Sequence, residues 1–195
     1  MATTREIRTI RIEDWEGNIY RPEGVGSGSG GVVTPADEIG KGGSSTDGTL
    51  VEDSTSNNGT SIEVSSDPSS DMNIATMIFD DVSFGEYSIM TRLKTSNNAS
   101  PNALVRIETF YYIEGLEENK LSSTDVLGSY FVSNNMYQSF GFVMKFMGNY
   151  DKNMKLKVVM TLLKRPEAVT VNFDSLVLNK AYTSLTGLST VLYDK

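Results

Sequence analysis

The side chains of this sequence that could do chemistry are mostly carboxylates, because the chain contains no His and no Cys. A Ser-His-Asp or Cys-His nucleophile system is therefore impossible within the chain, and the commonest zinc ligands are absent. Two adjacent carboxylate pairs remain, at Asp80-Asp81 and Glu117-Glu118, and carboxylate pairs can cleave glycosides without His. Neighbouring residues of a strand point to opposite faces, however. Both pairs are better explained as parts of solvated loops, and we expect no enzymatic activity.

The acidic residues are concentrated in one segment. The net charge of the chain is −8, and residues 35–71, with eight acids and one Lys, account for −7 of it. Such a density of carboxylates suggests calcium, but the spacing does not follow the loop pattern of an EF-hand. Solvated acidic loops are the better interpretation of this segment.

Charge and hydropathy also exclude two classes of partner. A pI near 4.6 argues against nucleic acid, because phosphate binding needs clustered Lys and Arg. No apolar run approaches the roughly 20 residues that a membrane-spanning helix needs. The first 15 residues have no apolar core of the kind that signal peptides contain. We therefore expect neither a nucleic acid nor a membrane as partner.

Residues 1–23 predict an N-terminal anchoring arm. Ile10 and Ile12 occupy alternating positions, Gly17-Asn18 is a tight-turn dipeptide, and Ile19-Tyr20 can return as the second strand of a short hairpin. An isolated two-stranded hairpin is marginal in water. It must lie either on the later part of the chain or on another subunit or protein. The side chains expected to anchor it are Ile10, Ile12, Trp15 and Tyr20.

Two further segments lie outside the predicted core. Residues 24–58 are rich in Gly, Ser and acids, and they predict a flexible linker of irregular chain, with a short strand near residues 49–51. Residues 181–195 carry apolar side chains beyond the last clear strand. They predict either an edge strand or a contact with another chain.

Residues 59–180 predict an all-β domain. Between residues 86 and 94 the side chains Tyr87, Ile89 and Leu93 recur at every second position, so they share one face, and Arg92 and Lys94 share the other. Similar alternation, or a short apolar run, predicts strands at 59–66, 72–79, 86–94, 103–113, 126–132, 137–147, 154–163 and 169–178. A polar loop is expected at 114–125. Many short strands separated by turns are typical of a sandwich or barrel.

The order of these segments resembles the jelly-roll carbohydrate-binding modules. The family's Gly-x-Tyr strand with a following Arg-apolar pair is matched by Gly85-Glu86-Tyr87 and Arg92-Leu93. Its later Tyr-Gln-x-aromatic strand is matched by Tyr137-Gln138-Ser139-Phe140, and its closing strands by Leu156-Lys157-Val158 and residues 171–178. The resemblance implies a jelly-roll β-sandwich over residues 59–180.

The same resemblance implies site residues. Sugar-binding members of the family place Trp or Tyr at loop tips or on a concave face, and the candidates here are Tyr111, Tyr112 and Tyr137. Adjacent Tyr111 and Tyr112 must point to opposite faces, so one of them is expected in the core. Asp174 matches the acid that holds a structural calcium in many members. Since Asp174 alternates with Phe173, an outward-facing acid without a metal is the other interpretation.

The overall layout resembles small virion proteins of tailed bacteriophages, in which an arm and a Gly/Ser linker precede a jelly roll. Residues 14–22, DWEGNIYRP, fit the arm pattern. This resemblance implies a non-enzymatic structural protein in the virion: a capsid decoration, a head fibre or a tail appendage. It would be a homo-oligomer whose arm binds other virion proteins of the capsid or tail, and whose jelly roll faces host glycans. The alternative is a free carbohydrate-binding module without a virion role.

Overall fold

A computed structural model describes residues 12–13, 19–20, 32–80, 85–113, 118–146 and 154–181. Over these ranges the chain forms strands and two short 3-10 helices, neither of which is long and apolar enough to cross a membrane. The strands are β1 (Ile12–Glu13), β2 (Ile19–Tyr20), β3 (Val32–Pro35), β4 (Thr49–Glu52), β5 (Thr60–Ser65), β6 (Met72–Phe79), β7 (Gly85–Thr95), β8 (Ala103–Ile113), β9 (Asn119–Leu127), β10 (Gln138–Phe146), β11 (Met154–Leu162) and β12 (Thr170–Ala181).

Strands β3 to β12 form two antiparallel sheets with one shared core. The larger sheet has the order β10-β7-β12-β5-β4, with β3 beside the second half of β12, and the smaller sheet has the order β6-β11-β8-β9. Ile89 and Phe173 of the larger sheet and Ile107 and Val158 of the smaller one are fully buried in the same cluster. Packing two sheets face to face buries the apolar side of each. The predicted jelly-roll β-sandwich is confirmed.

β7 lies between β10 and β12 in the larger sheet and has the predicted alternation. Tyr87, Ile89 and Leu93 are buried, whereas Arg92 falls on the opposite, outer face. Thr91 interrupts the apolar face, and its buried hydroxyl donates a hydrogen bond to the backbone oxygen of Ser175 at 3.3 Å. Because this polar group has a partner, its burial costs little.

The smaller sheet contains a strand that the sequence pattern did not predict. A loop is expected at 114–125 and a strand at 126–132, but β9 runs from Asn119 to Leu127 and a 3-10 helix follows at Gly128–Tyr130. β9 is an outer strand of its sheet and pairs with β8. An outer strand is held by backbone hydrogen bonds and packs fewer side chains, so a polar sequence can form it.

The sandwich also begins earlier than the predicted boundary at residue 59. β3 pairs with β12, β4 pairs with β5, and Ala36 and Ile39 are buried in the core. The expectation of a linker is therefore corrected for residues 32–58. Both strands are four residues long and join the sheet mainly through backbone hydrogen bonds, which leave little hydrophobic pattern in the sequence.

The first and last strands of the sandwich lie side by side, and the N-terminal hairpin precedes them in the chain. β1 pairs with β2, as the predicted hairpin requires, while residues 21–31 and 182–195 lie outside the described residues. The sandwich begins at Val32, which pairs with Leu178, and β12 ends three residues later at Ala181. Both positions lie at one end, which we name the entry end. The opposite end, formed by loops 96–102 and 128–137 among others, is the apex end.

Candidate functional site

A cluster of charged and aromatic side chains lies on the outer face of the larger sheet, the face turned away from the core. β7 supplies Arg92 and Lys94, because residues two apart on a strand share a face. Tyr137 comes directly before β10, and since Gln138 pairs with Leu93, Tyr137 falls beside Lys94. Asp53 and Asp174 complete the set. We refer to Asp53, Arg92, Lys94, Tyr137 and Asp174 as the Tyr137 cluster.

The ring of Tyr137 lies over two cations. The Arg92 Cζ atom is 4.7 Å from the ring centroid and the Lys94 Nζ atom is 4.9 Å from it, which is within the range of cation–π attraction. Both cations extend from the outer face of β7. The tyrosine hydroxyl donates a hydrogen bond to Asp53 Oδ2 at 2.7 Å. The ring is thereby fixed in one orientation across the sheet and is partly exposed.

Asp53 accepts hydrogen bonds on both carboxylate oxygens. Lys94 donates to Oδ2, as does the Ser61 hydroxyl at 3.3 Å. The Thr55 backbone N–H and hydroxyl donate to Oδ1 at 3.0 and 2.6 Å. The Asp53 side chain is 8% exposed. A carboxylate with this many donors, one of them a cation, can be buried without an unpaired charge.

Asp174 sits where the pairing between β12 and β7 shifts register, between Phe173 and Ser175. Its side chain is fully buried, and its carboxylate accepts hydrogen bonds from the Arg92 guanidinium and from the Asn57 backbone N–H, the latter at 3.1 Å. Asn57 belongs to the loop between β4 and β5, residues 53–59. The two aspartates therefore hold this loop over the outer face. Asp53, at the start of the loop, bonds to Lys94 of the sheet, and Asp174, on the sheet, bonds to Asn57 of the loop.

The pKa values of Asp53 and Tyr137 are shifted in opposite directions. Burial alone would raise the pKa of Asp53, but hydrogen bonds from Lys94, Thr55 and Tyr137 outweigh it, so that pKa lies well below its usual value. The pKa of Tyr137 is raised, first by burial and then by the bond to Asp53 and the charges of Asp53 and Asp174, which outweigh a bond from Ser61. At neutral pH Asp53 is ionised and Tyr137 is protonated. The hydrogen bond between them therefore fixes the orientation of the ring.

The outer face of the smaller sheet carries a second ring beside two cations. Phe110 lies in one cross-strand row with Lys157 and Lys120, whose Nζ atoms are 5.9 and 5.8 Å from its centroid. Lys157 also pairs with Glu118 at 2.9 Å, and Lys120 pairs with Glu108. We refer to these five residues as the Phe110 row.

The three predicted ligand-binding tyrosines have separate positions. Tyr137 lies in the cluster. Tyr111 pairs across the smaller sheet with the buried Leu156 and packs against the core, so it is the core member of the adjacent pair. The side chain of Tyr112 lies outside the described residues. The structure thus places Tyr137 partly exposed on the outer face of the larger sheet and Tyr111 against the core. Ligand binding by Tyr137 stays a prediction.

The predicted anchoring side chains cannot be placed in the same way. Ile10 and Trp15 lie outside the described residues. Ile12 and Tyr20 pair with each other through their backbones, and their side chains are also outside the described part. Anchoring by this arm stays a prediction.

The surroundings of Asp174 do not fit the calcium that the resemblance implies. Calcium takes six to eight oxygen ligands, whereas the Asp174 carboxylate faces a guanidinium and a backbone N–H. Within the described ranges no group of three His, Cys, Asp or Glu side chains is placed to hold a metal. Asp174 contacts Arg92 on the outer side of the sheet, but its side chain is buried because loop 53–59 covers it.

Two residues of the predicted carboxylate pairs form ion pairs at the surface. Asp80 pairs with Lys155 at 3.2 Å and is 68% exposed in its side chain, and Glu118 belongs to the Phe110 row. Their neighbours Asp81 and Glu117 lie outside the described residues. The positions of Asp80 and Glu118 agree with solvated loops.

Asp53 is a site residue that the sequence pattern did not reveal. It lies 84 residues before Tyr137 and inside the segment expected to be a linker. The local signal was the Asp53-Ser54-Thr55 turn, in which the aspartate accepts from the residue two positions later. That signal marks a turn, and it does not show which distant side chains the turn will meet.

The apex end holds a second unpredicted feature. Tyr130, Val132 and Met136 are exposed large apolar side chains of loop 128–137. The side-chain amide of Gln138 holds the loop in place. Its oxygen accepts a hydrogen bond from the Val132 backbone N–H at 2.9 Å, and its nitrogen donates one to the Tyr130 backbone carbonyl oxygen at 2.7 Å. The buried Phe131 anchors the loop against Phe140, with ring centroids 4.7 Å apart.

The fold is similar to solved carbohydrate-binding modules. One, from a study of promiscuous specificity in the β-sandwich superfamily of these modules, has a TM-score of 0.52 and 13% identity, covering 85% of this chain and 70% of that chain. A module in complex with beta-1,4-galactotriose has a TM-score of 0.42 and 10% identity, with coverages of 77% and 88%. The enzymatically active domain of tailspike protein 4 of bacteriophage CBA120 has a TM-score of 0.46 and 10% identity, with coverages of 78% and 19%. At these identities the similarity to the first structure establishes the fold.

No protein-family profile and no curated protein matches the sequence. A fold of this kind hosts many functions. Function must therefore be inferred from the Tyr137 cluster and from the organisation of the chain.

Proposed function

We propose that the protein is a non-enzymatic virion protein of a tailed bacteriophage, which binds glycans through its jelly roll and is attached to the particle by its N-terminal arm. The observation that carries glycan binding is the partly exposed ring of Tyr137, held across the larger sheet by Arg92, Lys94 and Asp53. The fold supports it, since one similar solved structure comes from a study of carbohydrate-binding modules with promiscuous specificity.

A fixed aromatic ring is a suitable surface for a sugar. The C–H groups on one face of a pyranose pack on an aromatic face, and neighbouring polar groups then fix the orientation of the hydroxyls. Since the ring of Tyr137 is already held, little conformational freedom is lost on binding. Arg92 and Lys94 keep 27% and 16% of their side chains exposed, and Ser139 is exposed next to Arg92. These three residues offer donors beside the ring.

The pairing of the cluster supports a binding role in preference to a catalytic one. Glycoside hydrolysis needs one carboxyl group that can donate a proton and a second that acts as base or nucleophile. Asp53 is held as an anion by its donors, and Asp174 is buried against Arg92. Neither carboxylate has the freedom that such chemistry requires.

The virion part of the proposal is supported by the organisation of the sequence. A hairpin too small to be stable alone precedes a Gly/Ser-rich segment and a jelly roll. The chain joins the sandwich at the entry end, through Val32. An arm attached to a particle there leaves the apex end directed away from the attachment point. Several copies on one particle would raise the avidity of individually weak sugar contacts.

Glycan binding is tested by comparing Tyr137→Ala with Phe110→Ala on a glycan array, followed by calorimetry with the best-bound sugar. The Phe110 substitution is a matched control, because it removes another partly buried ring beside two cations on the opposite sheet. We expect Tyr137→Ala to weaken binding by about tenfold or more, and Phe110→Ala to leave it unchanged. Equal effects of the two substitutions, or no glycan bound by the wild-type protein, would contradict the proposal.

The virion role is tested separately. Deletion of residues 1–23 should abolish co-purification with phage particles while glycan binding by the jelly roll is retained. A full-length protein that binds glycans but never co-purifies with particles would instead indicate a free carbohydrate-binding module, which is equally compatible with the fold. Unchanged incorporation of the deletion variant would contradict anchoring by the arm.

A further inference from the structure

An uncharged apolar row crosses the outer face of the larger sheet near the entry end. Val33, Val177, Met90 and Gly141 are consecutive cross-strand partners on β3, β12, β7 and β10, so their side chains share one face. Met90 is 49% exposed, and Val33 and Val177 are partly exposed. Gly141 has no side chain to cover its neighbour. The row therefore presents apolar surface on the outer face of the larger sheet.

The next row toward the entry end extends this surface. Val143, which pairs with Ser88, is 67% exposed, and Asn179 pairs with Ser88 from the other side. None of these side chains is charged, whereas the row toward the apex end contains Arg92. We refer to Val33, Met90, Val143 and Val177 as the entry-end patch. Covering these exposed apolar side chains with an apolar segment would remove their surface from water, which is favourable.

The size of the patch favours one chain segment as its occupant. Four strands at about 4.8 Å spacing span about 15–20 Å, and the two rows are about 7 Å apart along the strands. A stable interface with a second folded copy needs about 800 Å² on each partner. The patch is well below that area. Its dimensions match a single helix or strand, since a helix with its side chains is about 10–12 Å wide.

We infer that residues 182–195 of the same chain cover the entry-end patch. β12 carries Val177 and ends at Ala181, four residues later, so the tail starts at the margin of the patch. Its 14 residues could extend about 46 Å, more than enough to turn back across it. The tail has apolar residues at Leu185, Leu188, Val191, Leu192 and Tyr193, and no charge before Asp194.

The other segment at this end is a poorer occupant. Residues 24–31, which precede β3, have the sequence GVGSGSGG and contain a single Val. Such a segment has little apolar surface to bury and a high conformational entropy to lose. The apolar side chains of the tail complement the apolar patch, whereas the Gly/Ser segment has only one Val to bury there.

Engineered disulfides test the contact in the full-length protein. The chain has no native Cys, so Val143→Cys can be combined in turn with Leu185→Cys, Leu188→Cys or Leu192→Cys without background. We expect an intramolecular disulfide for at least one combination under mild oxidation, identified by mass spectrometry. The matched control places the first Cys at Val159, a partly exposed position of β11 in the other sheet, and should give none. Disulfides only between molecules would indicate a second copy as the occupant, and equal bridging in both series would overturn the proposal.

The methyl resonance of Met90 gives a second test that needs no cross-link. Replacing Leu188 and Leu192 by Asp should displace the tail and shift this signal. The matched control adds the same two charges at Ser184 and Thr186 and should leave it in place. The methyl group of Met136, at the apex end, should not move in either variant. A Met90 signal that is unchanged by the leucine substitutions would overturn the proposal.

Discussion

The two outer faces of the sandwich use the same kinds of side chain in different environments. On the larger sheet the ring of Tyr137 lies less than 5 Å from two cations, and the carboxylates of Asp53 and Asp174 are 8% and 0% exposed. On the smaller sheet the ring of Phe110 lies almost 6 Å from its cations. The Glu118 carboxylate there is 41% exposed.

Loop 53–59 accounts for the difference. It lies over the larger sheet, with Asp53 bonded to Lys94 and Asn57 bonded to Asp174, and no corresponding cover is described over the Phe110 row. Excluding water strengthens each electrostatic interaction beneath the loop and makes an unpaired group there costly. The same residue types therefore form a site with nearly buried carboxylates on one face, and ion pairs with more exposed carboxylates on the other.

The largest expected effect is that of Asp174→Ala. Removing this carboxylate leaves the Arg92 guanidinium and the Asn57 N–H without an acceptor beneath the loop. We expect the free energy of unfolding to fall by about 3 kcal/mol, somewhat less than for a fully buried pair because Arg92 is partly exposed. Urea unfolding at neutral pH measures this. A loss below about 1 kcal/mol, the range of surface pairs, would remove the distinction between the faces.

The next effect, for Asp53→Asn, depends on pH. We expect a loss of about 2 kcal/mol near pH 7, because charge-assisted bonds to Lys94 and Tyr137 are replaced by neutral ones. The pKa of Asp53 is lower in the folded protein than in the unfolded chain. Its contribution is therefore complete above the unfolded value of about 3.9 and is lost as the pH falls below that value toward the folded pKa. Unfolding at a series of pH values should show wild type and variant converging in acid; a constant difference would contradict the assignment.

A smaller loss is expected for Tyr137→Phe, which keeps the ring over its cations and removes the bond to Asp53. Asp53 retains Lys94 and Thr55 as donors, so the free energy of unfolding should fall by about 1 kcal/mol. Chemical denaturation measures the stability, and calorimetry measures glycan affinity in parallel. If stacking carries the binding, affinity should change far less than with Tyr137→Ala. Equal losses of affinity would assign the binding to the hydroxyl instead.

The smallest effect belongs to the smaller sheet. Arg106 pairs with Asp125 through two hydrogen bonds, at 2.8 and 3.1 Å, and both side chains are more than one-third exposed. The hydrogen bond from Arg106 lowers the pKa of Asp125. We expect Asp125→Ala to cost about 0.5 kcal/mol or less, and the cost to shrink further between about 0.1 M and 1 M salt. A larger, salt-independent loss would place this pair in the same class as the Tyr137 cluster.

The strands were predictable wherever one face is buried. β6 and β8 have the predicted bounds, because their side chains alternate or are nearly all apolar. β3, β4 and β9 were not fully predictable. They are short or lie at the side of a sheet, and their main contribution is backbone pairing, which any sequence without Pro at the bonded positions can supply.

The candidate site was predictable only in part. Tyr137 could be proposed from a family resemblance, and the outward direction of Arg92 and Lys94 from the period of two. The position of Asp53 depends on how a hairpin loop folds over the sheet from 84 residues away. A period of two gives the face of a side chain, but it contains no information about what will cover that face.

The four residue pairs that join β3 to β12 have a mechanical consequence. β3 is the first strand of the sandwich, and a pull transmitted through the residues before Val32 along the strands acts at right angles to the hydrogen bonds of these pairs. Their hydrogen bonds are then loaded in shear and must fail together. A pull across the strands would open them one after another at much lower force. The first strand is thus built to withstand tension along its own axis.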